Sequence, residues 1–386
     1  MPALHAMELL GKSAAELREW MAVHGEPAYR GTQIYHALYA ERRSDFPAMT
    51  NLPAALRERL AREATITLPR IQRRYQSADG TIRYVLQLAP VGAQHAAPAD
   101  SHDAVRARHG VPLQLAGQPA SIEAVFMPEE SRQTICISTQ AGCAVDCRFC
   151  LTATLGLIRN LTPGEIVGQV LVALEDNRAS LKPQTNVVLM GQGEPLLNYD
   201  AVMAAVRILL DANAVGLSPK HVTLSTSGIV PGIERLAQEP VRPKLAISLN
   251  ASSDEQRDEI MPINRKYPLD TLLDACRRYP LRPWERLTFE YVMLGGFNDA
   301  PDDARRVVKL LANLKCKVNL IPWNPGELPY APPNAERIEE FRRILSEKGV
   351  YVFVRYSRGQ DIMAACGQLA VLESAGQAPP VQISQE

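Results

Sequence analysis

The chain has 386 residues, of which 46% are hydrophobic and 22% charged, with 42 basic and 42 acidic side chains. This length and composition favour a folded protein with one large core and a smaller satellite domain, and they exclude global disorder. The formal net charge of zero argues against a broad polycationic surface, so any RNA-binding surface has to be local.

The N-terminal region is predicted to form a small helical domain over residues 1–75. Apolar residues recur at helical spacing in three segments, around 9–21, 34–38 and 56–60. Turn signals separate the three segments at Gly25-Glu26-Pro27 and Asn51-Leu52-Pro53.

Basic residues beside aromatic ones occur in this region, at Arg42-Arg43, Arg70 and Arg73-Arg74-Tyr75. Two interpretations stay open: a local surface that contacts RNA, or an ordinary solvated helix face. Charge alone favours the second.

Residues 76–128 are predicted to form a β linker that carries a flexible insert at 89–120. Apolar runs indicate strands at 82–88 and 122–126, on either side of this insert. The insert is rich in Ala, Pro and Gly and contains His95, His102 and His109. Because no ordered scaffold surrounds these histidines, we predict that they are exposed to solvent rather than bound to a metal.

Residues 129–370 alternate short β-branched runs with helical patterns, which is typical of an α/β fold with a parallel sheet. The predicted strands are 134–138, 187–190, 222–225, 245–249, 288–293 and 318–321. The predicted helices are 163–175, 201–210, 302–314 and 335–348. Right-handed crossovers would curl this sheet into a partial (β/α)6 barrel, with ligands at the carboxyl ends of the strands. Residues 371–386 are predicted to be a flexible tail.

Cys143, Cys147 and Cys150 follow the first predicted barrel strand at the spacing C-x3-C-x2-C. Three thiolates on one loop can hold three corners of a [4Fe–4S] cluster and leave the fourth iron open to a ligand, as in radical S-adenosylmethionine (SAM) enzymes. The alternative is a structural zinc site, which usually takes four ligands in two close pairs, and no second pair occurs here. Seven cysteines, an odd number, and no signal-peptide pattern predict reduced thiols in the cytoplasm.

Small polar residues recur where the predicted strands end, which favours a ligand site on the barrel rim. The turn Gly191-Gln192-Gly193-Glu194-Pro195 would let backbone approach a ligand closely. Later strands end in Ser225-Thr226-Ser227-Gly228, Ser248-Leu249-Asn250 and Trp323-Asn324-Pro325. Taken singly, each of these is also explained as a capping or turn residue.

Cys366 and Cys136 each have two interpretations. An accessible thiol is a nucleophile, and two thiols that meet can form a disulfide and expel a bound product. A buried cysteine is otherwise only a small hydrophobic residue. Small neighbours favour access to Cys366, whereas Cys276 and Cys316 are predicted to be buried and inert.

Over nearly its whole length the chain resembles the bacterial dual-specificity RNA methyltransferases of the radical SAM superfamily, which methylate C2 of adenosine in 23S rRNA and in certain tRNAs. The likeness runs through residues 27–30, 136–150, 160–161, 193–198, 224–228, 258–264, 319–325 and 366–369. Related resistance enzymes use the same cysteines to methylate C8 of the same ribosomal adenosine. The helical N-terminal domain and the run 358–362 favour the C2 enzyme. The alternative from another class is a non-catalytic iron–sulfur or zinc protein.

The resemblance implies a role for each candidate site residue. Cys143, Cys147 and Cys150 would hold one [4Fe–4S] cluster with SAM on its open iron, and two SAM molecules would be used per turnover. The implied SAM contacts are Gly193, Glu194, Ser225, Ser248, Leu249, Asn250 and Asn324.

The resemblance also implies an order of chemical steps. Cys366 would take a methyl group from one SAM, and a 5′-deoxyadenosyl radical from the second would abstract hydrogen from it. The resulting carbon radical would add to C2 of the adenosine. Cys136 and Glu123 are both candidates for accepting the C2 proton, and Cys136 would then form a transient disulfide with Cys366.

The implied partners are 23S rRNA at the peptidyl transferase centre, tRNA at the adenosine 3′ of the anticodon, and an electron donor such as flavodoxin. The helical domain would be an RNA-binding accessory to the barrel. We expect a cytoplasmic monomer without membrane association, because the longest apolar runs fall short of the ~20 residues that a membrane span requires.

Overall fold

The computed structural model describes residues 6–90 and 120–370. Most of the predicted insert, with His95, His102 and His109, and the predicted tail at 371–386 lie outside the described residues. Within the two described segments, no helix combines the length and the apolar character needed to cross a membrane.

Three helices form the N-terminal region: α1 (Ala14–Val23), α2 (Tyr29–Tyr39) and α3 (Ala54–Glu63). Two short strands, β1 (Met7–Glu8) and β2 (Ala64–Thr65), pair in parallel and join the two ends of this region. Helix α1 starts with a capping box, in which Ser13 Oγ accepts the N–H of Glu16 and the Glu16 carboxylate accepts the N–H of Ser13. The first helix therefore begins at Ala14, so that Leu9 and Leu10 of the predicted helical segment 9–21 lie before it.

A ten-stranded sheet forms the rest of the scaffold. Its antiparallel part consists of β3 (Arg70–Gln76), β4 (Ile82–Gln87), β5 (Ser121–Pro128) and β6 (Arg132–Cys136). A separate hairpin, β7 (Gln140–Gly142) with β8 (Leu157–Asn160), frames the cysteine loop. The parallel part continues from β6 through β9 (Gln184–Leu189), β10 (Val222–Thr226), β11 (Lys244–Ser248), β12 (Leu287–Met293), β13 (Cys316–Pro322) and β14 (Tyr351–Val354).

The predicted α/β partial barrel is confirmed, because β6 and β9 to β13 are the six predicted strands in parallel order. The sequence also predicts a last strand that ends near Arg355, and β14 is this strand, the seventh parallel one of the sheet. The sheet is larger than predicted in two further respects. Strands β4 and β5 belong to this sheet instead of forming an element of their own. Residues 70–76 form strand β3 rather than the end of a helical region.

The helices of the barrel region are α4 (Leu151–Thr154), α5 (Pro163–Asp176), α6 (Tyr199–Leu210), α7 (Val230–Ala237), α8 (Asp254–Ile260), α9 (Leu269–Arg278), α10 (Pro301–Leu310) and α11 (Ala335–Glu347). All of them except α4 and α8 bury apolar residues in the main core, whereas α4 and α8 lie near the cysteine loop. The sequence analysis does not predict α4, α7, α8 or α9, and it extends α10 to residue 314. Helix α4 has only four residues, too few to give a periodic pattern. In α7 a Pro-Gly pair in the first turn interrupts the helical pattern.

Successive side chains along each strand point alternately to the outer and the inner face of the sheet. Outward-facing residues such as Ile247, Phe289 and Val318 are fully buried in the core beneath the helices. Their neighbours Ser248 and Glu290 point inward and line a cleft. Apolar side chains therefore face the core on one side of the sheet, and polar ones face the barrel interior on the other.

The N-terminal region docks on the barrel through a close backbone contact. A Cβ on Gly11, which has φ +91°, would lie 2.4 Å from the amide nitrogen of Gly164 at the start of α5. Arg42 and Arg74 pair with Glu175 and Asp176 near the other end of α5, at 3.5 and 3.1 Å. Arg42 thus joins the N-terminal region to the barrel, whereas Arg74 of β3 joins the edge of the sheet to α5.

One loop connects the two edges of the sheet. It leaves β14 and reaches the turn between β3 and β4, where the Asp79 carboxylate accepts the N–H of Gly359 at 3.1 Å and the Nε–H of Arg358 at 3.4 Å. Ser77 Oγ donates to the Asp361 carboxylate at 2.5 Å. We call these five residues the clasp, because they join the edge of β14 to the opposite edge of the partial barrel.

Candidate active site

The three closely spaced cysteines lie on the loop between β7 and α4. Gly142 opens this loop with φ +72°, and a Cβ there would lie 1.9 Å from the carbonyl oxygen of Gly156, so only glycine fits. Two backbone bonds fix the turn: Cys143 N–H donates to Gly156 O at 3.0 Å, and Cys150 N–H donates to Cys147 O at 3.0 Å. These bonds hold the three cysteines close together on one short loop.

A cleft at the carboxyl ends of the strands brings most predicted site residues together. It encloses about 1010 Å³ of empty space, part of it open to solvent. The predicted residues that line it are Cys143, Cys147, Cys150, Gly193, Glu194, Ser225, Ser248, Asn250, Asn324 and Cys366. The side chain of Leu249 is instead buried in the core, while Glu123 and Cys136 lie in the sheet beyond the cleft wall.

The cysteine loop suits an iron–sulfur cluster. Burial raises the pKa of the thiols of Cys143, Cys147 and Cys150. Metal ligation requires thiolates, so the positive charge of bound iron would have to offset this cost. A structural zinc site usually takes four ligands that converge on one ion, whereas this loop supplies three thiols to the cleft. A cluster instead takes each thiolate on a different iron.

The turn after β9 presents backbone and a carboxylate to the cleft. Gly193 has φ +99°, and a Cβ on it would lie 2.6 Å from Cβ of Gln140, so the turn can approach β7 only with glycine. The buried Glu194 carboxylate accepts the N–H groups of Ser227 at 2.7 Å and Leu196 at 3.0 Å. Burial raises the pKa of Glu194, and the side chains of Thr226 and Ser227, which also line the cleft, lower it. These groups suit the charged amino-acid end of a ligand such as SAM.

Two asparagines complete the rim. Asn250 adopts the left-handed conformation, with φ +56°, and its Oδ1 accepts the N–H of Val292 at 2.9 Å. Asn324 donates through Nδ2 to Ser357 Oγ at 2.9 Å and to the carbonyl oxygen of Cys366 at 3.2 Å. Asn324 therefore holds the segment that carries Cys366 against the rim.

A buried arginine that the sequence analysis did not identify supports the rim from behind. Arg257 of α8 is 0% exposed. It donates to the carbonyl oxygens of Ser227, Ser248 and Leu249 at 2.7 to 3.1 Å and to Asn264 Oδ1 at 3.0 Å. Burial lowers its pKa to about 10, and the nearby Cys147 acts in the opposite direction. The guanidinium thus joins the ends of β10 and β11 next to the cysteine loop.

Replacing Arg257 with methionine is expected to lower the free energy of unfolding by about 3 kcal/mol or more, because several buried acceptors lose their donor at once. Urea denaturation of the full chain measures this change. Arg278→Met is the matched control, since Arg278 is exposed at the end of α9 in surface ion pairs and its loss should leave the denaturation midpoint close to the wild-type value. Equal denaturation midpoints for the two variants would contradict the supporting role.

Cys366 lines the same cleft, on a segment that packs directly beside the cysteine loop. Its segment is held there by two bonds: Leu151 N–H donates to Gly367 O at 2.8 Å, and Thr152 Oγ donates to Leu369 O at 2.5 Å. The residue is solvent-accessible, which agrees with the access predicted from its small neighbours. Burial of the sulfur among the walls, followed by the charges of Glu290 and Cys150, raises its pKa to about 11.

Cys136 and Glu123 share the inner face of the sheet beside Cys366. Cys136 pairs with Val125 across β5 and β6, and Glu123 lies two residues from Val125 on the same face. Burial raises the pKa of the Cys136 thiol, and the neighbouring Cys366 raises it further. Both cysteines are free thiols, so the disulfide implied by the resemblance is not formed in this structure. Cys276 and Cys316 are buried, as predicted.

The Glu123 carboxyl is 1% exposed and pairs with Arg83 at 2.8 Å. Its second oxygen, Oε2, has no hydrogen-bond partner among the described residues. Burial raises the pKa of Glu123 to about 7, and Arg83 opposes this rise. A carboxyl group with that pKa can either hold or accept a proton near neutral pH.

Glu290 is a further cleft residue that the sequence analysis did not identify. It lies on the inner face of β12, is 8% exposed, and accepts a bond from Asn319 Nδ2 at 2.9 Å. The available signal was a carboxylate within a predicted strand of a parallel sheet, a position that is usually apolar.

Comparisons with known proteins agree with this geometry. Residues 137–311 match the Radical SAM superfamily, and residues 7–66 match the ribosomal RNA large subunit methyltransferase N-terminal domain. The chain is similar to the solved structure of a radical SAM methyltransferase from Sphaerobacter thermophilus, with 42% identity, a TM-score of 0.83, and coverage of 94% of this chain and 99% of that one.

Curated relatives match over most of their own length. The probable dual-specificity RNA methyltransferase RlmN of Koribacter versatilis is 47% identical, covering 89% of this chain and 96% of that protein. The dual-specificity RNA methyltransferase RlmN of Anaeromyxobacter dehalogenans is 46% identical, covering 90% of this chain and 87% of that protein. With its cysteine loop, cleft and both matched regions, this chain belongs to the RlmN family of radical SAM RNA methyltransferases.

Proposed function

We propose that this enzyme methylates C2 of adenosine in 23S rRNA, at the peptidyl transferase centre, and in tRNA, 3′ of the anticodon. The observation that carries the proposal is the position of Cys366 in the same cleft as Cys143, Cys147 and Cys150. The name shared by its relatives, dual-specificity RNA methyltransferase, supports two classes of RNA substrate. We further infer that the helical N-terminal region assists RNA binding, and that the enzyme acts as a cytoplasmic monomer with an electron donor such as flavodoxin.

The cofactor residues divide into two groups. Cys143, Cys147 and Cys150 would hold the [4Fe–4S] cluster. Gly193, Glu194, Ser225, Ser248, Asn250 and Asn324, with the main chain of Leu249, would hold SAM. When bound, the reduced cluster and two SAM molecules per turnover supply a methyl group and a 5′-deoxyadenosyl radical.

Cys366 is the proposed methyl carrier. C2 of adenine is not nucleophilic, so direct transfer of a methyl cation to it would fail, and a sulfur that first carries the carbon avoids this difficulty. Its pKa of about 11 means that the free thiol is mostly protonated at neutral pH. Methylation therefore requires removal of the thiol proton as the sulfur–carbon bond forms.

Glu123 is the better candidate for accepting the C2 proton, because its pKa lies near 7 whereas burial raises that of the Cys136 thiol. The radical adduct must also give up one electron along with that proton, and the [4Fe–4S] cluster that the three cysteines would hold could accept it. Cys136 would then act in product release. Its thiolate attacks the sulfur of Cys366, the bond between that sulfur and the base-bound carbon breaks, and this carbon takes a proton. The two cysteines end as a disulfide, which a reductant must open before the next turnover.

Glu123→Gln is expected to abolish the pH dependence of product formation near pH 7. The wild-type rate should rise as pH passes through about 7, because Glu123 then loses its proton and can accept another. Glutamine cannot titrate, so the variant should be slow throughout. Single-turnover rates from pH 6 to 8.5 measure this effect, and a variant that keeps the wild-type profile would assign the base elsewhere.

Anaerobic turnover with SAM, a reductant and unmodified 23S RNA or tRNA tests the proposed reaction by nucleoside mass spectrometry. We expect 2-methyladenosine. Formation of 8-methyladenosine would mean instead that the enzyme catalyses the C8 reaction of the resistance enzymes. An intact cluster without methylated adenosine would contradict both.

A further inference from the structure

The inner face of the barrel carries a line of cations that leads to the cleft. Lys244 lies on β11, Lys317 on β13, Arg286 directly before β12 and Arg355 directly after β14. We call these four residues the basic track. None of the four forms a salt bridge within the described residues, so their charge is available to a ligand.

Strand register puts the track on the same face as the cleft. Thr288 pairs with Lys317, and Val292 pairs with Ile321 along the same two strands. Val292 and Ile321 line the cleft, four residues beyond Thr288 and Lys317. At ~3.3 Å per residue, Lys317 therefore lies about 13 Å below the cleft along the barrel interior.

Two exposed aromatic residues accompany the cations on the edge strand β14. Tyr351 and Phe353 are 56% and 43% exposed and pair with Lys317 and Asn319, so they share the inner face. Arg286 lies over the Tyr351 ring at 4.3 Å, and Arg355 lies over the Phe353 ring at 5.2 Å. Rings packed only for stability would be buried by their neighbours, whereas these keep much of their surface open.

The electrostatics of the track favour an anion. Burial lowers the pKa of Lys317, and the adjacent charge of Arg355 lowers it further. Burial likewise lowers the pKa of Lys244, and Lys317 adds to the effect. The facing carboxylates, Glu285 and Glu290, are both buried and offset only part of this charge. Cations that repel one another in this way gain from an external anion.

Alternating cations and open aromatic rings are the recognition chemistry of single-stranded nucleic acid, since cations bind phosphates and rings stack on bases. Methylation inside the cleft also requires an unpaired, extruded adenosine. Resting on the proposed function, we propose that the basic track with Tyr351 and Phe353 binds the single-stranded RNA next to the target adenosine. The target base would enter the cleft while its neighbours lie along β14.

The test measures binding of a fluorescein-labelled tRNA anticodon hairpin to the reconstituted full-length enzyme by anisotropy at several salt concentrations. Tyr351→Ala with Phe353→Ala should weaken binding at least about fivefold, because each removes a stacking surface. Arg286→Gln with Lys317→Gln should reduce the salt slope, log Kd against log salt, by about 1.4, or ~0.7 for each phosphate contact in single-stranded RNA.

The matched control is Arg305→Gln with Arg343→Gln, which removes two positive charges from the outer helices α10 and α11. It should leave both Kd and salt slope unchanged. Iron content and urea midpoints check that every variant is folded. Wild-type affinity and slope in both track variants would overturn the inference.

Product analysis of the same wild-type sample separates this inference from the proposed function. If the wild type forms 2-methyladenosine while the track variants bind RNA normally, only the track is wrong. If the track variants lose binding but the wild type forms no methylated adenosine, the track stands and the proposed reaction is wrong.

Discussion

Cys366→Ala is expected to abolish RNA methylation, with a loss of about 10⁴-fold or more, the size seen when a covalent nucleophile is removed. The physical reason is that no other thiol among the described residues faces the cleft besides the three on the cysteine loop. Because Cys366 contributes its main chain to the contact with Asn324, alanine should preserve that bond and the position of the segment. Anaerobic turnover followed by nucleoside mass spectrometry measures the loss.

Cys276→Ala is the matched control for that experiment, since Cys276 is a buried cysteine of α9 remote from the cleft lining. It should retain wild-type product levels, and both variants should bind iron normally. Methylated adenosine at a normal rate from Cys366→Ala would end the assignment of Cys366 as methyl carrier.

Cys136→Ala is expected to trap RNA covalently on the protein. In the proposed order of steps the base-bound carbon is attached to Cys366 when Cys136 acts, so removing the Cys136 thiol blocks release after the bond has formed. The adduct should appear as a band of reduced mobility on a denaturing gel and disappear after RNase treatment. Product should fall to the level of a single turnover or below.

The double variant Cys136→Ala with Cys366→Ala tests whether the adduct depends on Cys366. It should give no slow band, because the attachment site is gone. Free product from Cys136→Ala at the wild-type rate, without an adduct, would remove Cys136 from the release step.

The cluster loop and the rim were predictable because both depend on local signals. The spacing of Cys143, Cys147 and Cys150 is confined to eight positions of sequence, and parallel strands carry the residues that follow them to one edge. Ser225, Ser248 and Asn324 therefore reach the cleft as expected. Leu249 is the exception among the predicted SAM contacts. It follows Ser248, whose side chain points inward, so the side chain of Leu249 points outward into the core.

Features that depend on distant contacts were not predictable from pattern. Arg257 resembles any other charged residue of the polar helix α8 until the fold brings the ends of two strands around it. The alternation of β3 is obscured by its arginines, so its place at the edge of the sheet is evident only from its pairing with β4. The meeting of Glu123, Cys136 and Cys366 likewise requires the assembled sheet.

The clasp also sets an order of events during synthesis. Asp79 and Ser77 are separated from Arg358 and Asp361 by 279 and 284 residues. At ~5–20 residues per second, a ribosome takes about 15–60 s between the two halves of this contact. The cysteine loop and much of the parallel sheet leave the ribosome during that interval, whereas Cys366 follows the clasp. A nascent chain can therefore form the cluster loop well before it has a sulfur to carry the methyl group, and activity begins only after the two edges of the sheet are joined.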